Sequence, residues 1–546
     1  MPSSSSYAPP LERGKACLKC RSRKMRCDGI RPMCGPCARA GEVECEYTDG
    51  GEAPSQVLQR RAEDLQAQIH TLEGQSNQPI TLHNPYNQQG GSSSDRRGGP
   101  QQAEAQISAA LLQGFLSQAK NCGFFLNTGR FVERLNPRAS GSAPLPPALS
   151  FAAQVVGTLF VQDARLRSRG DQIASRAAQY LGSTQADPSN VILLLQAEVL
   201  LAFYHFFQNQ SVQGQIRMTA ATSMALAWGL HTSQMQRGPA AAGVLGRYRL
   251  PPPIDPIEAG ERINAFWTVF CLERRWCATQ GLESRFPQDE VCVPWPLNMS
   301  DYEQGDVPHF AAGATGMMTV KTFLEGQGGH ETDRSVLSLL AKASILFQKS
   351  ADLVKNWAPN AAGFQQSFFA LDRQIEEFKR TLPSIPTTNA THQREGSPTD
   401  LILQTRSLLL VHTLVQCATL QLYLPRQERD LSRSRAFNAA STASGLLQRV
   451  DVRNLGYVDP FMGVLWSNIT DALMRWLMGL RRARPASSAG SSSSGSPQRA
   501  PPHPFEGNIT SCLDCLSNAI GTLVPKNPWI ESEYRKLQQF RGGPPA

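Results

Sequence analysis

Residues 17–45 read CLKCRSRKMRCDGIRPMCGPCARAGEVEC, and this stretch holds six of the 13 cysteines in a chain of 546 residues. Two C-x2-C pairs occur in it, and each pair is followed by one further cysteine. A pair with this spacing places two thiolates close enough to bind one tetrahedral metal ion. The stretch therefore predicts a small zinc module over residues 13–48. Its candidate metal ligands are Cys17, Cys20, Cys27, Cys34, Cys37 and Cys45.

The number of metal ions is open from the residues alone. Two tetrahedral zinc ions need eight ligand positions, and no histidine lies between Cys17 and Cys45. Either two sulfurs bridge two ions, or four cysteines bind one ion and leave two thiols spare. The repeated order of a pair, a short helix-compatible segment and a further cysteine favours two ions. A disulfide framework would instead require an oxidising compartment, and the polar residues 1–10 contain no apolar signal-peptide core.

Positive charge is concentrated in the same part of the chain. Residues 13–31 contain eight lysines or arginines and one acid, Asp28, a local charge of +7 within a chain of net charge +9. The remaining residues, with 46 basic and 44 acidic side chains, are close to neutral. Such a local concentration indicates an anion-binding site, most often one for nucleic acid. The basic residues are Arg13, Lys15, Lys19, Arg21, Arg23, Lys24, Arg26 and Arg31.

Most of the chain has the pattern of a helical protein. From residue 105 to residue 482 apolar residues recur at helical spacing without a strand-like alternation, which predicts a large all-α domain and a mainly α fold class. Residues 191–231 read as two successive helices. Residues 74–103 and 484–504 are polar or rich in Ser, Gly and Pro, and they read as flexible linkers. Residues 505–546 are predicted to form a partly helical tail.

Residues 57–73 have the spacing of a short coiled coil. Their apolar residues step by four, three, four and three positions, which is a heptad seam of about two repeats. The alternative interpretation is a surface helix of the next domain. The seam, and with it the predicted dimerisation contact, consists of Leu58, Ala62, Leu65, Ile69 and Leu72.

The string ACLKCRSRKMRCDGIRPMCGPC, residues 16–37, resembles the fungal binuclear zinc-cluster transcription factors, and its flanks RGK and CEYTD resemble those of mushroom-forming fungi. The resemblance implies two zinc ions that share the sulfurs of Cys17 and Cys34. Cys20 and Cys27 would complete the ligands of one ion, and Cys37 and Cys45 those of the other. The resemblance also favours the coiled coil, since these factors usually dimerise just after the cluster and so pair two DNA triplets.

The basic residues after Cys20 suit DNA recognition. A short helix from Arg21 to Arg26 would carry side chains into the major groove, where Arg and Lys donate to guanine O6 and N7. The resemblance implies that Lys24 and its neighbour Arg23 read a CGG-type triplet. Phosphate contacts, which give affinity without sequence choice, suit Arg13, Lys15, Lys19 and Arg31. The predicted DNA-binding residues are Lys15, Lys19, Arg21, Arg23, Lys24, Arg26 and Arg31.

Residues 150–425 resemble, more loosely, the fungal-specific regulatory domain that follows the zinc cluster in this family. Arg274 and Arg275 could pair with Glu261 or Glu273 or bind an anionic effector, and we favour ion-paired or solvated side chains. Aromatic residues at helical spacing are typical of a core rather than of a ligand pocket. In this region they are Phe266, Trp267, Phe270 and Trp276.

These patterns predict a nuclear, zinc-dependent, sequence-specific DNA-binding protein that regulates RNA polymerase II genes, and two alternatives compete with it. Its expected partners are double-stranded DNA, a second copy of the chain, and the transcription machinery or co-regulators, with no membrane. An enzyme is disfavoured, because the sequence contains no H-E-x-x-H, G-x-S-x-G or P-loop motif. A zinc-stabilised scaffold that does not touch DNA is the third hypothesis.

Overall fold

The computed structural model divides the chain into two compact units, Met1–Arg97 and Gly98–Ala546. The residues that it describes are 15–41, 45–47, 100–136, 141, 143–232, 250–306, 318–327, 335–386, 398–426, 430–483, 504–524 and 528–542. The predicted dimerisation helix, with Leu58, Ala62, Leu65, Ile69 and Leu72, lies outside the described residues. The predicted linkers 74–103 and 484–504 lie almost wholly outside them too.

The described part of the smaller unit consists of two single-turn helices and the loops that join them. Helix α1 spans Leu18–Ser22 and α2 spans Gly35–Arg39. A cysteine caps the N-terminus of each, Cys17 for α1 and Cys34 for α2. The second cysteine of each C-x2-C pair then lies in the first turn, so both pairs use the same local geometry.

The larger unit is helical, and none of its described residues forms a strand. Its first helix begins at Pro100, five residues before residue 105, where the helical pattern of the sequence was predicted to start. The helices are α3 (Pro100–Leu116), α4 (Thr128–Leu135), α5 (Pro147–Gly157), α6 (Ala164–Arg167), α7 (Gly170–Ser183), α8 (Val191–Phe207), α9 (Ser211–Ala227), α10 (Pro256–Gln280), α11 (Met299–Glu303), α12 (Thr319–Leu324), α13 (Val336–Lys355), α14 (Phe364–Thr381), α15 (Pro398–Tyr423), α16 (Asp430–Arg449), α17 (Val452–Leu455), α18 (Phe461–Arg482), α19 (Pro504–Leu523) and α20 (Pro528–Gly542).

Helix α10 shows how local sequence sets the ends of these elements. The carboxylate of Asp255 accepts a hydrogen bond of 2.8 Å from the backbone N–H of Glu258, and Pro256 occupies the first turn. Gly281 follows the last turn with a φ of 63°, a left-handed conformation that glycine adopts without steric cost. The two helices predicted over residues 191–231 are confirmed as α8 and α9.

Two apolar clusters form the interior of the larger unit. The first core is built mainly by α3, α5, α7, α8, α9 and α10, and the second core by α13 to α16 and α18 to α20. Helix α10 joins them, because Phe266 and Phe270 lie in the first core while Leu272 and Trp276 lie in the second. Burial along its whole length therefore makes α10 the central element of the unit.

Helix α15 is the one described helix that is long and apolar enough to cross a membrane by length and composition, over Asp400–Tyr423. Its apolar residues are core residues of this fold: Leu408, Val411 and Leu414 have no exposed surface. The predicted C-terminal tail contributes two helices to the same core, since α19 and α20 bury apolar side chains against it.

Candidate metal centre and nucleic-acid interface

The six cysteines of the smaller unit converge on one centre. Their sulfurs form two sets of four, within 4.8 Å of one another in each set, and both sets contain Cys17 and Cys34. The sulfurs of Cys17 and Cys34 lie 3.7 Å apart, and those of Cys20 and Cys34 lie 3.6 Å apart. A tetrahedral zinc with Zn–S bonds of about 2.3 Å separates its sulfurs by about 3.8 Å. The donor set therefore fits two zinc ions that share two sulfurs, and all six thiols are free of disulfide bonds.

Backbone N–H groups near both C-x2-C pairs donate to cysteine sulfurs, in two different ways. The sulfur of Cys17 accepts a hydrogen bond of 3.4 Å from the backbone N–H of Cys20, at the start of α1. The backbone N–H of Cys34 donates to the sulfur of Cys45 over the same distance, 3.4 Å. The hydrogen bond from Cys34 lowers the pKa of Cys45 and so favours its thiolate, which is the form that binds metal.

Several of these thiols are protonated by burial when no metal is bound. Burial and hydrogen bonding to Cys17 raise the pKa of Cys20 to about 12, and burial also raises the pKa of Cys34. Burial also disfavours the thiolate of Cys27, but hydrogen bonds from backbone N–H groups and from Tyr47 lower its pKa to about 7. Zinc ions would supply the positive charge that deprotonates crowded thiols and makes the six sulfurs compatible.

Tyr47 is a supporting residue that the sequence did not single out. Its hydroxyl donates to the carbonyl of Ile30 at 2.9 Å and lies 3.9 Å from the sulfur of Cys27. The guanidinium of Arg31 lies over its ring, 4.8 Å from the centroid. Beside it, the carbonyl of Glu46 accepts a hydrogen bond of 2.9 Å from Leu18 at the start of α1. These contacts close the module and shield the sulfur of Cys27. The sequence did not indicate this role, because a single tyrosine after the last cysteine forms no periodic pattern.

Asp28, the one acid of the basic segment, has a structural role. Its carboxylate accepts hydrogen bonds of 2.9 and 3.1 Å from the backbone N–H of Gly35, at the start of α2, and one of 3.3 Å from Ile30. A Cβ atom at position 35 would lie 2.4 Å from this carboxylate. Glycine at that position therefore permits the contact that holds the central loop.

All seven predicted DNA-binding residues have exposed side chains, and they lie in the same segment of the chain as the cysteines. The prediction that one helix carries the block from Arg21 to Arg26 is wrong. Helix α1 ends at Ser22, Arg23 caps it, and Lys24 adopts a left-handed φ of 51°. A hydrogen bond of 2.9 Å from the backbone N–H of Met25 to the carbonyl of Cys20 closes this turn, because the metal-ligand loop must reverse towards Cys27. The exposed residues are Lys15, Lys19, Arg21, Arg23, Lys24, Arg26 and Arg31.

In the larger unit the predicted aromatic residues are core residues. Phe266, Trp267 and Phe270 are fully buried in the first core. Trp276 packs in the second core, with its ring stacked on Phe206 at a centroid distance of 3.7 Å.

The predicted ion pair of Arg275 with Glu261 or Glu273 is wrong. For Arg274, burial lowers the pKa and the nearby charge of Glu273 opposes that shift. Arg275 pairs with Asp459, N to O distance 3.4 Å, and Arg274 donates to a backbone carbonyl at 3.1 Å. Glu261 and Glu273 accept backbone N–H groups instead, at 2.8 and 2.6 Å. Asp459 lies 184 residues beyond Arg275, so no local sequence pattern relates the two.

Comparison with known protein families identifies the same two regions. The fungal Zn(2)-Cys(6) binuclear cluster domain matches residues 15–51, which contain the metal centre. The fungal specific transcription factor domain matches residues 115–358. This match begins and ends earlier in the chain than residues 150–425, where the sequence predicted the regulatory domain. Helices α14 to α20 therefore extend the second core beyond the matched domain.

Characterised relatives share a short part of this chain. It is 40% identical over 84 residues to the notoamide biosynthesis cluster transcriptional coactivator notQ' of Aspergillus versicolor, covering 13% of this chain and 16% of that protein. It is 42% identical over 67 residues to the transcriptional activator protein acu-15 of Neurospora crassa, covering 11% and 6% of the two chains. The matched segment of this chain thus covers a sixth or less of the length of each of these relatives. This chain therefore carries both a fungal Zn(2)-Cys(6) binuclear cluster domain and a fungal specific transcription factor domain.

Proposed function

We propose that this protein is a nuclear, zinc-dependent DNA-binding regulator of RNA polymerase II transcription. The observation that carries the proposal is the set of seven exposed basic side chains around a centre built for two zinc ions. Both matched domains are transcription factor domains, which supports a non-catalytic role. The zinc ions would supply folding energy and fix the basic side chains in place.

The basic residues divide into two proposed roles. Those that follow Cys20, from Arg21 at the end of α1 to Arg26 beyond it, contact base edges in the major groove, with Lys24 and Arg23 on a CGG-type triplet. Lys15, Lys19 and Arg31 contact phosphates. The exposure of these side chains supports the assignment, because they can meet DNA without first leaving a buried site.

The test is binding of the zinc-loaded full chain to two duplexes that differ only in whether a CGG triplet is intact or scrambled. Fluorescence anisotropy across a salt series measures both affinities. We expect tighter binding to the intact triplet and a fall in both affinities with salt, since phosphate contacts release counterions. Equal affinity for the two duplexes at every salt concentration would favour the zinc-stabilised scaffold.

We further propose that the protein acts as a homodimer through residues 57–73 and that the larger unit recruits co-regulators. The heptad spacing of Leu58, Ala62, Leu65, Ile69 and Leu72 supports the dimer. Analytical ultracentrifugation of Leu65→Lys tests it, with Ala67→Lys, at the outward-facing position of the same heptad, as the control. We expect Leu65→Lys to be monomeric and to lose the advantage of paired triplets over a single triplet. A dimer unaffected by Leu65→Lys places the dimer contact elsewhere.

A further inference from the structure

A third C-x2-C pair, Cys512 and Cys515, lies in helix α19 of the larger unit. Both of its side chains are half-buried. Cys292 is half-buried too, but it has no second cysteine at this spacing. The pair therefore offers two neighbouring thiols that solvent reaches. The other cysteines outside the six-cysteine centre are buried, and they are Cys122, Cys271, Cys277 and Cys417.

The helix places both sulfurs on one side of α19. Residues three positions apart lie on the same face of an α-helix, with Cβ atoms about 5–6 Å apart. Both cysteines pack at the edge of the second core. The Cys515 thiol donates a hydrogen bond of 3.1 Å to the carbonyl of Ser444 in α16, so this face of α19 meets α16.

The number of available ligands limits which metal ion the pair can hold. Among the described residues, His, Cys, Asp or Glu ligand atoms converge in sets of three or more only at the six-cysteine centre. A structural zinc ion takes four ligands, so the pair lacks two of them. Monovalent copper is a soft ion that thiolates select, and two thiolates in line are enough for it.

The spacing also suits a two-coordinate ion. With a metal–sulfur bond of about 2.3 Å, as in zinc thiolates, a linear S–metal–S unit spans about 4.6 Å. Two cysteines whose Cβ atoms are about 5–6 Å apart can reach this separation by rotation of their side chains. The pair is therefore built for a soft, two-coordinate ion rather than for zinc.

We propose that Cys512 and Cys515 bind one Cu(I) ion through two thiolates. Both S–H bonds break, two Cu–S bonds form, two protons leave to solvent, and the S–Cu–S unit carries one negative charge. The half-exposed position suits this charge, because a fully buried one would lose its hydration.

Copper binding would also act on the contact between two helices. The sulfur of Cys515 no longer donates to the carbonyl of Ser444 once its proton has left, so occupancy of the site changes the contact between α19 and α16. The proposal does not depend on DNA binding by the smaller unit, and its test uses no DNA.

The experiment uses the full-length, zinc-loaded protein without oxygen, with ascorbate as the reductant and bathocuproine disulfonate to fix the free Cu(I) concentration. Native mass spectrometry counts both metals. We expect two zinc ions and one copper ion in the unchanged protein. Cys512→Ser and Cys515→Ser should each weaken copper binding about 100-fold or more and keep both zinc ions, since losing even an outer partner of a metal ligand costs about 10–100-fold.

Cys292→Ser is the matched control, because it removes a half-buried thiol of the larger unit that lies outside the pair. This variant should take up copper as the unchanged protein does. Three results would overturn the proposal: the same copper affinity in Cys292→Ser and Cys512→Ser, copper uptake only with loss of zinc, or no copper uptake.

Cys512→Ser keeps the test decisive if Cys515→Ser does not fold, since the hydrogen bond to α16 comes from Cys515. An unchanged circular dichroism spectrum is the check on folding. Excess zinc in place of copper should leave the zinc count at two. A third zinc ion that Cys512→Ser removes would make the pair a zinc site and contradict the assignment to copper.

Discussion

Lys24 is where backbone conformation and proposed recognition meet in one residue. Its left-handed φ of 51° turns the chain at the end of α1 and leaves its side chain exposed. Lys24→Ala retains a Cβ atom and the same backbone preference, so the substitution mainly removes the charged side chain. We expect it to cost about 1–3 kcal/mol of binding to a CGG duplex and to reduce the preference over scrambled DNA.

Lys15→Ala is the companion substitution. As a phosphate contact, Lys15 should contribute equally to both duplexes, so its loss weakens both and reduces the salt slope by about one. Anisotropy titrations of the two variants side by side distinguish the roles. Loss of specific and nonspecific binding to the same extent in Lys24→Ala would contradict the assignment of a base contact.

The shared sulfurs make a second prediction at the level of single residues. Cys34 belongs to both sets of four sulfurs, whereas Cys20 belongs to one. Cys34→Ala should therefore lose both zinc ions, while Cys20→Ala leaves the second set of four intact and should retain zinc there. Native mass spectrometry of the full chain gives the zinc count. Equal zinc content in the two variants would show that Cys34 is not shared.

At the scale of elements, α3 and α5 cross with their backbones in close contact. A Cβ atom at Gly157, the last residue of α5, would lie 1.9 Å from the carbonyl oxygen of Leu111 in α3. Gly157→Ala must therefore separate the two helices, and we expect a loss of about 3 kcal/mol in the free energy of unfolding. Denaturant unfolding followed by circular dichroism measures it.

Gly182 in α7 is the matched helical control. A Cβ atom there meets no atom within 4 Å, so Gly182→Ala should stabilise the unit by about 0.5–1 kcal/mol. Similar changes for the two alanine substitutions would mean that α3 and α5 do not cross as closely as the structure shows.

For the whole molecule, zinc binding should not affect most of the helix content, because the two units have separate interiors. The described helices of the smaller unit have five residues each, whereas the larger unit holds the other helices. Zinc chelation should therefore abolish DNA binding and leave the helical circular dichroism signal and the thermal transition of the larger unit nearly unchanged. A large loss of helical signal on chelation, reversed by added zinc, would show that the larger unit depends on the metal.

Sequence alone predicted the candidate metal ligands, the basic segment over residues 13–31 and the mainly α fold class. Chelation depends on cysteine spacing, charge on composition, and helices on a 3.6-residue period, and all three are local properties of the chain. Local pattern was already insufficient at α1, where the demand for a turn towards Cys27 ended the helix at Ser22 and left Lys24 and Arg26 beyond it.

Only the tertiary structure decided which distant residues meet. It brought Tyr47 to Cys27, gave Arg275 its partner Asp459, and placed the thiol of Cys515 against the carbonyl of Ser444. These contacts join positions up to 184 residues apart, and packing of helix faces sets them. The sequence therefore determined the cysteine spacing and the local charge of the smaller unit, while the fold determined which distant side chains of the larger unit meet.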